Sequence, residues 1–236
     1  MNRLGIREYL GTAYHLDRYR NTFLNQLEFG SDYDFVTSLG NHLESRSSDV
    51  YVRAASSVGD QITVKLLDAF EDVQDGFFLP KNVAIPRGRY EWTNIDARIQ
   101  SFDGRPVRID WEVMCCHFYN GRQVYSKMQI AFRPNAYFEF VPTWEASFIH
   151  EPTGSVDIHI LSLDSVINFI PDMQLAIQAQ FDNISRGFGF SARYAWEYQP
   201  GNQILVAIGH SAVVPGTTFV SQRTGATLRL IHTFRF

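Results

Sequence analysis

The sequence predicts an all-β protein: an antiparallel up-and-down transmembrane β-barrel of about 14 strands, or the C-terminal part of a larger barrel. Three observations carry this reading. Apolar and polar residues alternate with period two over most of the chain, the alternating runs are joined by turn dipeptides, and no segment sustains a helical period. Residues 1–236 read as one domain, with the pattern strongest over 59–236 and weaker over 1–58.

The clearest run is 172–182. Met173, Leu175, Ile177, Ala179 and Phe181 share one face, and Gln174, Gln178 and Gln180 the other. The next run repeats it, with Phe188, Phe190, Ala192, Tyr194, Trp196 and Tyr198 opposite Ser191, Arg193, Glu197 and Gln199. A helix would mix the two sets. Further back, Phe138, Phe140, Trp144, Ala146 and Phe148 alternate with Glu139, Thr143, Glu145 and Ser147, while Val107, Ile109, Trp111 and Val113 alternate with Arg108, Asp110 and Glu112. Strands are expected at 60–70, 87–101, 105–119, 122–133, 136–149, 155–164, 172–183, 187–199, 202–213 and 224–236. Weaker ones are expected at 4–16, 21–30, 33–43 and 49–58, where Glu8, Asn25 and Asn41 interrupt the apolar face. Asp103-Gly104, Asn120-Gly121, Arg133-Pro134-Asn135, Pro200-Gly201-Asn202 and Gly59-Asp60 supply the turns. The total is even, as closed bacterial barrels prefer. With the C-terminus in the periplasm, the longer connections 71–86 and 213–224 fall outside and the short ones inside, apart from the tight Asn120-Gly121 turn.

Composition narrows the class. There are 21 Lys plus Arg against 25 Asp plus Glu, a net charge of −4, with 45% hydrophobic and 19% charged residues. Mild acidity argues against a nucleic-acid partner. The longest aliphatic stretch, Ile204 to Ile208, is far short of the roughly 20 residues of a helical span, and no apolar signal-peptide core follows Met1. In a barrel only every second residue must be apolar, so this composition is compatible with lipid contact. Aromatics make up 14%. Tyr90, Trp92, Trp111, Tyr119, Trp144, Tyr194, Trp196 and Tyr198 are expected on apolar faces near strand ends, as interfacial girdles. The final run, Ala226, Leu228, Leu230, His232, Phe234 and Phe236, alternates with Thr227, Arg229, Thr233 and Arg235 and ends on Phe236. It looks like the signal read by the outer-membrane assembly machinery. The expected partners are therefore the outer-membrane bilayer and that machinery.

Several longer motifs add a resemblance. The runs Val83-Ala-Ile-Pro-Arg-Gly-Arg-Tyr-Glu-Trp92, Phe118-Tyr-Asn-Gly-Arg122, Gln180-Phe-Asp-Asn-Ile-Ser185 and Arg193-Tyr-Ala-Trp-Glu-Tyr-Gln-Pro-Gly201 occur in that order. They are similar to the C-terminal region of an uncharacterised outer-membrane family. In that family a membrane-associated β domain follows a secreted carbohydrate-binding module resembling family nine, and some members are labelled membrane-associated hydrolases. Matching positions run from about residue 59 to 213. The resemblance implies a bacterial outer-membrane location and an association with glycans. Because neither a signal peptide nor the module precedes residue 1, it also implies a C-terminal piece or a shortened relative.

Few constellations suggest chemistry. Adjacent strand residues point to opposite faces, so Cys115 and Cys116 are expected to be free packing residues. No metal-ligand spacing or phosphate loop occurs, and no cofactor or metal is expected. Glu139 and Glu145 share a face as a glycosidase pair would require. His210 and His232 have outward parity, but at different depths and without a serine partner. The reading adopted is that Arg108, Asp110, Glu112, Glu139, Glu145, Asp157, His159, Arg193, Glu197 and Arg229 line the barrel interior. The expected function is a membrane anchor or pore linked to glycan binding or uptake. A hydrolase with a lumenal site, or a soluble β-sandwich binding module, are the alternatives.

Overall fold

The computed structural model describes residues 5–20 and 22–233. Thirteen strands form one antiparallel sheet in which each strand pairs with the next along the chain. They are β1 (Ile6–Arg18), β2 (Leu24–Ser38), β3 (Leu43–Ser56), β4 (Gln61–Val73), β7 (Gly88–Gln100), β8 (Val107–Cys115), β9 (Arg122–Asn135), β10 (Phe138–Glu151), β11 (Gly154–Ile170), β12 (Met173–Asp182), β13 (Gly187–Gln199), β14 (Asn202–Val213) and β15 (Val220–Ile231). Between β4 and β7, the strands β5 (Phe77–Leu79) and β6 (Val83–Ile85) make a small separate hairpin. The chain falls into two compact units. One takes residues up to Asp103 with Asp110–Lys127 and Ala146–Asp157, and the other takes Gly104–Ile109, Met128–Glu145 and the chain from Ile158 onward.

The ten downstream strands stand near where the alternation places them; the largest differences are β11, which continues to Ile170, β8, which stops at Cys115, and β15, which runs Val220–Ile231 against an expected 224–236. Upstream the count changes. The segments expected at 21–30 and 33–43 are one continuous strand, β2, so thirteen strands replace fourteen. Gly30, at the end of the expected 21–30 strand, lies inside β2 opposite Tyr51 in the β2–β3 ladder. A Cβ there would sit 2.3 Å from the Tyr51 ring. Glycine is required by the close approach of that ring rather than by a turn.

Register decides which side chains share a face, because cross-strand partners point the same way. In the first unit, Val52, Val64 and Ala97 form one row and Val50, Leu66 and Ile95 the next. The opposite face carries Tyr51, Lys65 and Asp96 in one row and Arg53, Thr63, Arg98 and Glu112 in the next. In the second unit, Ile167, Leu175, Tyr194, Val206 and Leu228 share a row, as do Ser165, Ile177, Ala192, Ile208 and Ala226. Asp164, Gln178, Ser191, Gly209 and Gly225 lie on the other side.

The apolar face is not buried. Among the described residues twelve apolar side chains are buried and thirty-eight large apolar ones are exposed; Leu66 and Ile95 each keep 50% of their surface accessible. Among the described residues a buried apolar cluster forms from Val73, Ile85 of β6 and Tyr90, with Leu79 of β5 packed against it. Phe234, Arg235 and the terminal Phe236 of the proposed assembly signal lie outside the described residues.

Candidate functional site

The charged face of the first unit is cross-linked. Arg98 holds Asp110 with two parallel bonds, Nε to Oδ1 at 2.8 Å and a terminal nitrogen to Oδ2 at 2.7 Å, and Gln100 donates to the same carboxylate at 3.0 Å. This two-point geometry is the strongest that Arg offers a carboxylate. Arg108 and Glu112 share the strand face of Asp110. One strand pair away, Tyr51 donates its hydroxyl to Glu28 at 2.9 Å. Arg53 reaches the same oxygen at 3.1 Å. The Arg53 guanidinium and the Lys65 ammonium approach the Tyr51 ring at 5.3 and 5.7 Å from its centroid.

At the hairpin end of this unit, two stretches distant in sequence meet. Tyr90 and Trp92 were expected on the apolar face, but the β4–β7 register puts them on the side of Asn94, Asp96 and Arg98. There they pack against Tyr119, with ring centroids 5.0 and 5.1 Å away. Phe118 and Phe77 close the cluster at 4.7 and 5.7 Å from Tyr119. Tyr119 takes a left-handed backbone conformation, φ 46°. Its hydroxyl donates to Glu71 at 2.7 Å. Burial, with the Glu71 carboxylate accepting that proton's bond, holds the Tyr119 phenol well above its ordinary pKa. The Tyr90 hydroxyl donates to the Pro86 carbonyl at 2.6 Å. A Cβ at Gly121 would stand 2.1 Å from the His150 carbonyl, so the Phe118–Arg122 turn needs glycine to lie against β10. The Gly121 N–H donates to the Phe118 carbonyl at 2.8 Å, which closes the turn.

Cys115 and Cys116 are not free: they are bonded to each other, 2.05 Å between sulfurs. The alternation argument fails because β8 ends at Cys115, and Cys116 already belongs to the loop. The amides of Cys116 and His117 both donate to Asn94 Oδ1 at 2.7 Å, which ties that loop to β7.

In the second unit a cavity of about 840 Å³ lies over the polar face of β12–β15. Gln178, Gln180, Asp182, Ser191, Ser211 and Arg223 line it. Its floor is open at Gly189, Gly209 and Gly225, where a Cβ would meet nothing within 4 Å. Amide, hydroxyl and guanidinium groups above bare backbone can hydrogen-bond a hydroxylated solute. Arg193 and Arg229 occupy the same face, opposite Ala207 and Leu205. Glu197 accepts from the Gly201 amide at 2.8 Å and from Gln203 at 3.2 Å.

No family model, curated protein or solved structure matches this chain.

Arg133 donates twice to Glu139, at 2.8 and 2.6 Å, so this carboxylate is held in an ion pair. Glu145 shares the strand parity of Glu139. Asp157 and His159 depart from the interior set. Both have the parity of Leu161, which pairs with Phe181 on the apolar face. The His159 ring lies 6.2 Å from Trp144 and nearly parallel to it. The polar residue types had suggested the charged side, but parity with Leu161 overrides type. His210 stacks on Phe219 at 5.7 Å and bonds Thr224 at 2.8 Å. Asn183 and Ser185 stand in the turn between β12 and β13, where Asp182 accepts from the Ser185 amide at 2.6 Å. No group of three or more His, Cys, Asp or Glu side chains suited to a metal occurs among the described residues.

Sequence reasoning missed the Tyr51–Glu28 node, the Tyr119–Glu71 bond and the glycine floor. The period-two placement of Gly187 and Gly189 was visible in the sequence, but its alignment with Gly209 and Gly225 requires the register.

Proposed function

We propose that this chain is an outer-membrane β-barrel domain that acts as a membrane anchor or pore for glycan-related cargo, with its charged face lining the interior. The observation that carries the reading is the inverted exposure of the sheet. Large apolar side chains, Leu66, Ile95, Ile99, Trp111, Leu161, Ile208 and Leu228 among them, stand exposed in continuous rows on one face of each unit. Water-soluble monomers seldom expose contiguous apolar patches beyond a few hundred Å². A bilayer turns such rows into favourable contact, and antiparallel strands can meet it provided their backbone groups are paired. The opposite face then holds its Arg–carboxylate pairs in an aqueous interior. The Gln-, Ser- and Arg-lined cavity over the glycine floor supports cargo rich in hydroxyl groups.

The test uses the four tryptophans. Trp111 has the parity of exposed Ile109, Trp144 that of exposed Phe140, and Trp196 lies opposite Ile204 on the apolar face, whereas Trp92 faces the charged side. In vesicles of brominated phosphatidylcholine, Trp111, Trp144 and Trp196 should be strongly quenched and Trp92 spared. Quenching of none of the three, with free access of iodide from water, would overturn the proposal.

A further inference from the structure

A groove of about 730 Å³ in the first unit runs along the outer side of β9 and β10, from the 116–121 loop down to Val124 and Phe148. His117, Asn120, Arg122, His150 and Pro152 line its loop end, and Val124 and Phe148 the part farther along the strands. Arg122, Val124 and Ser126 share a face, and Trp111 donates its indole N–H to Ser126 at 3.1 Å. The groove therefore opens onto the apolar side.

Two features set it apart. No lining residue is acidic, so Arg122, His117 and His150 share a space without a counter-charge; the His117 Nδ1 donates to the Thr93 carbonyl at 3.0 Å, which leaves its Nε2 to donate into the groove in the imidazolium form. Other outer-face arginines at this end of the unit are already paired: Arg46 with Asp68 and Glu91, and Arg89 with Asp72. The Arg122 side chain has no hydrogen bond or ion pair among the described residues.

We infer that this groove holds the phosphate of an anionic membrane lipid, with the phosphate at Arg122, His117 and His150 and the first acyl carbons against Val124 and Phe148. The inference rests on the membrane reading above. Charge complementarity selects a phosphate, and the apolar floor continuing toward Trp111 selects one attached to a chain over free phosphate. Arginine suits phosphate because its planar guanidinium offers parallel donors.

The experiment uses the full chain reconstituted in phosphatidylcholine vesicles, with Trp144→Phe and Trp196→Phe leaving Trp111 as the outward reporter. Brominated phosphatidic acid at low mole fraction is compared with brominated phosphatidylcholine. One basic side chain near a surface favours anionic lipid by about fivefold, so quenching of Trp111 should show an enrichment of that order. Arg122→Gln with His150→Gln should bring the two lipids level, Arg122→Lys should keep the preference, and inorganic phosphate should compete only weakly. Equal quenching by both lipids in the parent, or a preference that survives the double change, overturns the groove assignment alone. Absence of quenching by either lipid overturns the membrane reading itself. Full competition by inorganic phosphate would refute the lipid source.

Discussion

Replacing Gly30 by Ala isolates one close contact of this sheet. The new Cβ would lie 2.3 Å from Tyr51 Cζ, 2.4 Å from its hydroxyl and 2.6 Å from Cε1, so the ring must leave its place. Tyr51 is only 7% exposed and has little room to move sideways. Displacement breaks the bond to Glu28, a contact to a charged acceptor contributing about 1.5–3 kcal/mol. It also removes the approaches of Arg53 and Lys65 to the ring, each of about 0.5–1 kcal/mol. Partial rehydration of the freed groups leaves an expected loss of about 3 kcal/mol. In a Tyr51→Ala background the same change meets empty space. Alanine in a strand interior is then favoured over glycine by roughly 0.5–1 kcal/mol. The double-mutant cycle should therefore give a coupling of about 3.5–4 kcal/mol, slightly beyond the upper end of what contacting residues usually show. Urea unfolding of the four proteins under identical refolding conditions, followed by far-UV circular dichroism, measures it. A cost below about 0.5 kcal/mol for Gly30→Ala in the parent background would refute the packing of Tyr51 over Gly30.

Two further changes test other parts of the structure. The Tyr119 phenol titrates above its unfolded value of about 10. Its contribution is thus complete below that pH and is lost as pH rises toward the folded value. Thermal stability should fall more steeply between about pH 9.5 and 11 in the parent than in Tyr119→Phe, and parallel slopes would contradict the Glu71 contact. On the apolar face, Leu175→Arg, Ile177→Arg or Phe190→Arg should block assembly into bilayers, since a lipid-facing Arg near mid-depth costs roughly 2–4 kcal/mol. Gln178→Arg and Ser191→Arg, on the opposite face, should be mild. Equal band shifts for both sets on unboiled gels would count against the face assignment.

The downstream strands were legible in the sequence, and so were the faces of β12 and β13, because period-two alternation is a local property. Met173 to Phe181 and Phe188 to Trp196 sort their side chains without reference to any partner. The turn between Asp182 and Gly187 was equally readable, since Asp182 bonds amides only two and three residues away. What the tertiary structure alone decided are contacts between residues far apart in the chain. Gly30 owes its place to the Tyr51 ring of the neighbouring strand, which lies over it. Tyr90 and Trp92 read locally as girdle residues, but the β4–β7 register turns them to the charged face, where they pack on Tyr119, whose hydroxyl reaches Glu71 across 48 positions of sequence. Asp157 and His159 read as interior by residue type, yet they share the parity of Leu161. The glycine floor exists only because the register aligns Gly189 with Ser211 and Gly209 with Gly225. Alternation specifies which way each side chain points, but cross-strand register specifies what it meets, and register is fixed by pairings that no single segment contains.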